Sequence, residues 1–296
     1  MSWLLTSFMG AVYISATMKT TPRLHVEEHL ETAREVTLSR EQGHYLTGVL
    51  RLASGDPVRV FNASDGEWLT YIATVSKKSV TLRCEKRVAD AAPPPDIDYV
   101  FAPLKHARLD YVVQKATELG ARRLRPVITQ RTIAERVNLE RMKANVIEAA
   151  EQCNLVFVPD VHEPVKLAAL ISSWQPGRAL IYCDETAAIA NPIESLAPLK
   201  TPAAVLIGPE GGFTNEEKAL LKSCEFVTAI SLGPRIMRAD TAAVAAMTLV
   251  QACLDRTRGR VIFVRGDPGL GKSRLVAEFV DNARERGMDC HTTTIL

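Results

Sequence analysis

The chain has 296 residues, 47% apolar and 24% charged, with a net charge of +2; this is the composition of a globular protein of about two domains and excludes fibrous, low-complexity and disordered readings. Beyond position 20 no stretch of about eighteen apolar residues is free of charge, so no membrane span is expected in the body of the chain. The cysteines Cys84, Cys153, Cys183, Cys224, Cys253 and Cys290 stand far apart, with no C-x-x-C pair and no histidine at metal-ligand spacing, a pattern of reduced cytosolic thiols that argues against zinc or any other metal site.

The run from Met1 to Met18 lacks the basic start of a signal peptide and the arginines of a transit peptide, so residues 1–21 are expected to be a flexible extension, with Met18 an alternative start. Residues 22–88 carry the signals of a small β domain. Pro57 to Phe61, Trp68 to Val75 and Ser79 to Cys84 are short runs rich in Val, Thr and aromatics. Asp65-Gly66 is the hairpin turn between the first two, and His44 to Leu52 is expected as a short helix before them. Ala89 to Pro95 ends in consecutive prolines and reads as a linker over 89–95.

After the linker, strands alternate with helices, which predicts an α/β domain with a parallel sheet covered on both faces. Strand candidates are Tyr99 to Ala102, Leu124 to Ile128, Ala179 to Cys183, Ala203 to Ile207 and Phe226 to Leu232. Leu109, Val112, Val113, Ala116 and Leu119 recur at helical spacing before Gly120 stops that helix. Between Leu104 and Lys143 stand ten Lys or Arg against four acids. On charge alone, a phosphate-binding face and a solvated helix surface are equally supported.

Two strand-end loops carry more information. The first, Gly208-Pro209-Glu210-Gly211-Gly212-Phe213, runs into a capping box of Thr214 and Glu217. Its main-chain groups could hydrogen-bond a flat ring in a cofactor site, or the glycines could only make a tight turn. The second loop runs from Gly233 to Thr241 and clusters Arg235, Arg238 and Asp240. These side chains could grip phosphate or stabilise a developing oxyanion; the alternative is a surface Arg-Asp pair capping a helix.

Gly208 to Phe213 together with Leu232-Gly233-Pro234-Arg235-Ile236-Met237-Arg238-Ala239-Asp240-Thr241-Ala242 closely resembles the paired signature of the RsmE family, bacterial 16S ribosomal RNA uridine N3-methyltransferases of the SPOUT superfamily. Leu109 to Gly120, Glu148 to Cys153, and His44-Tyr45-Leu46 with Val49-Leu50-Arg51 resemble further blocks of that family, in order, so the likeness covers roughly Pro22 to Asp255. It implies a PUA-like barrel over 22–88 and, over 96–255, a SPOUT methyltransferase domain whose parallel sheet is threaded into a trefoil knot. It also implies a cytoplasmic homodimer using S-adenosylmethionine on 16S rRNA or the small ribosomal subunit.

By the same resemblance, the backbone of Leu206, Ile207, Gly208, Pro209, Glu210, Gly211 and Gly212, and of Leu232, Gly233 and Ile236, would hold the cofactor. Arg235 or Arg238 would stabilise the uracil anion, and Asp240 would orient that arginine or relay the proton. Met237 and Asp240 depart from the commoner Leu and Glu of the family. Arg51, Lys105, Arg108, Lys115, Arg122 and Arg123 would form the rRNA surface.

The likeness stops near Asp255. Beyond it Val261 to Val264 and Gly266-Asp267-Pro268-Gly269-Leu270-Gly271-Lys272-Ser273 form a P-loop in a strand-loop-helix setting that resembles the opening of AAA or STAND ATPases. With no room for the later strands of such a sheet, 256–296 reads as a truncated βα fragment. A P-loop NTPase and a non-catalytic RNA-binding protein are the alternative functions.

Overall fold

The computed structural model describes residues 21–254 except 77–78, 93, 106, 135 and 188–190. The expected N-terminal extension (save residue 21) and the P-loop segment lie outside the described residues.

The first half is a five-stranded sheet in the order β1-β3-β4-β5-β2, formed by β1 (Arg23–His25), β2 (Glu35–Thr37), β3 (Pro57–Asn62), β4 (Gly66–Val75) and β5 (Val80–Ala89). The β3–β4 turn is fixed by Asn62, whose side-chain oxygen Oδ1 accepts from the Ser64 and Asp65 amides. Gly66 has φ +81, and a Cβ there would meet the Ala89 carbonyl, so only glycine closes this turn. Alternate residues such as Val58, Val60, Ile72 and Leu82 point into a core capped by Leu46.

The expected helix at His44 begins earlier. α1 (Arg40–His44) starts at a Ser39–Gln42 capping box and passes into a π turn over Tyr45–Val49. Gly48 allows this widening, because a Cβ there would lie 2.6 Å from the His44 ring. Arg51 follows with φ +58, a left-handed conformation that is uncommon for arginine.

The second half is a parallel sheet in the order β12-β10-β11-β6-β7-β8, with β9 also paired to β7. In chain order it comprises β6 (Ile97–Phe101), α2 (Ala107–Glu118), β7 (Arg123–Ile128), α3 (Leu139–Gln152), β8 (Asp160–Val161), β9 (Val165–Lys166), α4 (Leu167–Ser172), β10 (Ala179–Cys183), α5 (Pro192–Ser195), β11 (Ala203–Ile207), α6 (Asn215–Lys222), β12 (Val227–Ile230) and α7 (Ala239–Leu254). The expected strand at Phe226 to Leu232 is thus shorter at both ends. In β11, Ala203, Val205 and Ile207 pack on the side of α2, α3 and α7, whereas Ala204 and Leu206 pack on the side of α4 and α6. Burial on both faces explains why this strand reads as an unbroken apolar run. Among the described residues no helix is long and apolar enough to cross a membrane.

At the N-terminal ends of the strands lies a buried charge network. Arg178, 1% exposed, donates to the Asp96 carboxylate at 3.1 Å and to the Ala203 carbonyl at 3.1 Å, and pairs with buried Asp98 at 3.4 Å. Arg123 and Arg125 pair with Asp98 at 2.7 and 3.3 Å, and Arg123 also reaches Asp96. Buried charges need such mutual pairing to offset desolvation.

Candidate active site

Catalytic and binding groups of parallel α/β sheets gather at the C-terminal strand ends. The loops after β11 and β12 both lie there. They do not follow adjacent strands, however, because β10 pairs with both β11 and β12 and stands between them. The segment ending β10 therefore joins the site, which the linear sequence did not signal.

The loop after β11 is held from several sides. The Gly212 amide donates to the Pro209 carbonyl at 2.9 Å, and Gly212 has φ +66. Gly208 leaves room for the buried Phe213 ring, which stands edge-on to Tyr182 with centroids 5.3 Å apart. Thr214 and Glu217 form the expected capping box, and Glu217 also accepts from the Gln130 amide at 2.8 Å. Arg131 donates to the Gly211 carbonyl at 2.8 Å, and Arg108 pairs with Glu210 at 3.5 Å. Two arginines that follow β6 and β7 thereby clamp the glycine-rich loop.

The loop after β12 turns at Gly233, whose φ is +116. Ile236 is 89% exposed beside it. Arg238 donates to Asp240 at 3.0 Å, and Asp240 accepts from the Thr241 amide at 2.9 Å in the first turn of α7, where a carboxylate suits the helix dipole.

Asp184, just past β10, is buried. It accepts from the Thr186 amide and hydroxyl at 3.0 and 2.7 Å and pairs with Lys222 at 2.9 Å and Lys218 at 3.4 Å. Burial pushes its carboxyl pKa up, but Lys222, Thr186 and Lys218 outweigh that effect and hold it well below the usual carboxylate range. Lys218 also pairs with Glu185 at 2.8 Å. Burial pushes the neighbouring Cys183 thiol up to about 12, so it is an uncharged wall.

These three segments enclose a cavity of about 370 Å³, lined by 183–185, 207–213 and most of 230–239. That volume lies within the range of small-molecule sites. Of the sequence-predicted residues, Ile207 to Gly212, Leu232, Gly233, Arg235, Ile236 and Arg238 line it, and Asp240 stands behind Arg238. Leu206, expected to contribute backbone, is not among the lining residues: its side chain is fully buried and it stands in the sheet between Tyr182 and Val100. Cys183, Asp184 and Glu185 were missed.

The residues expected to form the basic face lie at different places in the fold. Lys105 and Arg108 follow β6 near the cavity, with Arg108 engaged by Glu210. Lys115 pairs with Glu118 at 2.7 Å. Arg122 and Arg123 lie at the opposite end of the sheet, Arg123 being consumed by Asp96 and Asp98. Arg51 is exposed on the N-terminal sheet's side of the molecule.

Residues 92–251 match the family model for an RNA methyltransferase domain, and residues 38–84 match that for an RNA methyltransferase PUA domain. The chain is 30% identical over 232 residues to the ribosomal RNA small subunit methyltransferase E of Rickettsia conorii, spanning 77% of this chain and 94% of that protein. A methyltransferase of Legionella pneumophila, solved with the bound cofactor SAM, superposes with a TM-score of 0.69 at 28% identity, covering 78% of this chain and 97% of that one. A ribosomal RNA small subunit methyltransferase E of Neisseria gonorrhoeae, bound to S-adenosyl methionine, shares the fold with a TM-score of 0.71 at 23% identity, covering 79% and 98%.

Proposed function

The chain belongs to the RNA methyltransferase family that includes ribosomal RNA small subunit methyltransferase E, and on that premise we propose that it methylates N3 of a uridine in 16S rRNA, using S-adenosylmethionine. The observation that carries this reading is the cavity, which residues of two strand-end loops line together with Arg235 and Arg238. Its donor set fits the cofactor. The glycine-rich turns offer backbone N–H and C=O groups to an adenine ring, the apolar Ile207, Ile230 and Leu232 offer it a dry bed, and Glu185 and Glu210 oppose the positive charge of an ammonium or sulfonium.

Bound there, S-adenosylmethionine supplies a methyl group already activated by the sulfonium. The main chain of 207–212 and of Leu232, Gly233 and Ile236 would hold it, with Arg108 and Arg131 keeping the first loop in shape. The imide proton would pass to Asp240, or through it to water, leaving negative charge on the uracil, and Arg238, paired with Asp240, or the exposed Arg235 stabilises that charge. A target base must also leave its stack to reach the cavity.

The partition into an RNA-binding barrel over 22–88, a linker over 89–95 and a knotted methyltransferase domain over 96–255 belongs to the same reading, flanked by an extension over 1–21 and the P-loop fragment over 256–296. So do a cytoplasmic location and a homodimer, for which Ile236, almost fully exposed at the rim of the cavity, is supporting. Mass spectrometry of 16S rRNA incubated with the chain and isotope-labelled S-adenosylmethionine tests the proposal. A labelled methyl on N3 of one uridine is expected; transfer to a ribose hydroxyl, to another base atom or to no RNA overturns it. Arg238→Ala is expected to slow transfer by on the order of 100-fold while leaving cofactor binding intact.

A further inference from the structure

We propose that Arg23 is a positioning residue for rRNA, because its guanidinium latches the N-terminal sheet to the C-terminal end of α3 and so fixes the orientation in which the two halves meet. This inference rests on the methyltransferase reading for its functional consequence, but its structural argument stands alone. Arg23 lies on a strand of three residues and is only 9% exposed. Burying a guanidinium is costly unless its donors are used, and here partners come from both halves of the chain. One terminal nitrogen donates to the Ala150 carbonyl at 2.6 Å and the other to the Leu155 carbonyl at 2.5 Å. On its own side, Nε lies 3.3 Å from Glu67, and the guanidinium stacks 3.7 Å over the Phe61 ring. Two residues on, the His25 amide donates to the Glu151 carboxylate at 2.9 Å.

The carbonyls Arg23 grips belong to the last turn of α3 and the segment after it, where the helix dipole favours a cation. α3 has 14 residues and so spans about 21 Å. In its first two turns Arg141 and Asn145 bind Asp110 of α2 at 2.6 and 2.8 Å, and the first turn of α2 carries Arg108, the partner of Glu210 in the cavity wall. The latch therefore connects the N-terminal sheet to the cavity through two packed helices. A substrate held by that sheet arrives in a register set by how the sheet is docked. Lysine cannot replace the fork, because a single ammonium cannot address two separate carbonyls while lying flat on Phe61.

The test uses the full chain with Arg23→Lys and, so that the buried Glu67 carboxylate is not left to the more distant Arg59 alone, the double variant Arg23→Gln/Glu67→Gln. Steady-state methylation of small ribosomal subunits, calorimetric titration with S-adenosylmethionine and hydrogen exchange of amides 150–155 are measured on each. Expected are a rise in KM for the subunit of about tenfold, kcat and cofactor affinity within about twofold, and faster exchange over 150–155. An unchanged KM overturns the proposal, as does a parallel fall in kcat and cofactor affinity, which would mark a merely structural role. If the wild-type chain methylates no rRNA, the functional reading fails instead. The latch is then judged by exchange alone: unchanged protection of 150–155 in both variants refutes it, and loss of protection supports it.

Discussion

Replacing Gly208 with alanine should damage cofactor binding through a neighbour, not through a lost contact. A Cβ at this position would stand 2.5 Å from one edge carbon of Phe213 and 3.0 and 3.1 Å from two more. The ring cannot swing aside: it is 4% exposed, abuts Tyr182, and sits in the cluster that includes Leu206 and Leu221. Overpacking of this kind costs about 1–3 kcal/mol, and the strain must fall on the loop that lines the cavity. A distortion worth about 1.4 kcal/mol weakens cofactor binding tenfold. Calorimetric titration with S-adenosylmethionine reads this directly, alongside a thermal melt. Gly55→Ala is the control, because Gly55 has φ +92 with nothing within 4 Å of its absent Cβ. It should lower the melting temperature by about 2–4 °C through backbone strain and leave cofactor affinity alone. Gly208→Ala/Phe213→Leu should recover much of the lost affinity. If Gly208→Ala binds the cofactor as the wild type does, the steric reasoning about this wall is refuted.

Asp184 predicts an acid sensitivity. Its folded pKa lies below an unfolded value of about 3.9, so its stabilisation is complete above that pH and is lost as pH falls toward the folded value. Urea midpoints should therefore drop below pH 4 in the wild type and drop less in Asp184→Asn; identical pH profiles would contradict the assignment. Arg178→Met removes the central cation of the network around Asp96 and Asp98 and should cost about 3–5 kcal/mol in urea unfolding, with cofactor affinity unchanged because the network lies at the far end of the sheet. A loss under about 1 kcal/mol would show that Arg123 and Arg125 suffice. Arg51→Gly should relieve the left-handed strain at φ +58 without loss of stability, yet weaken rRNA binding and reduce its logarithmic salt slope by about 1, whereas Arg123→Ala should leave that slope unchanged. Filter binding over a salt series separates the two.

Local signals carried much of this fold. β10 and β11 span the same residues in sequence and structure, and the Thr214–Glu217 capping box is formed as its spacing predicts. Short apolar runs and caps depend on neighbours in the chain, which is why they were legible. Strand order depends on crossovers, so nothing local announced that β10 would separate β11 from β12 and bring Cys183, Asp184 and Glu185 into the cavity. The charge count of the basic stretch is limited in the same way. Counting charges between Leu104 and Lys143 omits Asp96, Asp98 and Glu210, which lie outside that window and neutralise Arg123, Arg125 and Arg108. Arg23 showed no pattern at all, since its partners Ala150 and Leu155 are more than a hundred residues away.

A recess closed by bends of the chain as well as by side chains is hard to erase one side chain at a time. Across 207–212 and 232–236 the bends turn at positive-φ glycines, Gly212 and Gly233, and an exchange elsewhere in either loop leaves those turns in place. The same property bears on inhibitors. A compound that bonded to the main chain of those bends would be hard to exclude by exchanging side chains, and escape through the glycines would cost the chain itself, by crowding Phe213 at 208 and by left-handed strain at 212 and 233.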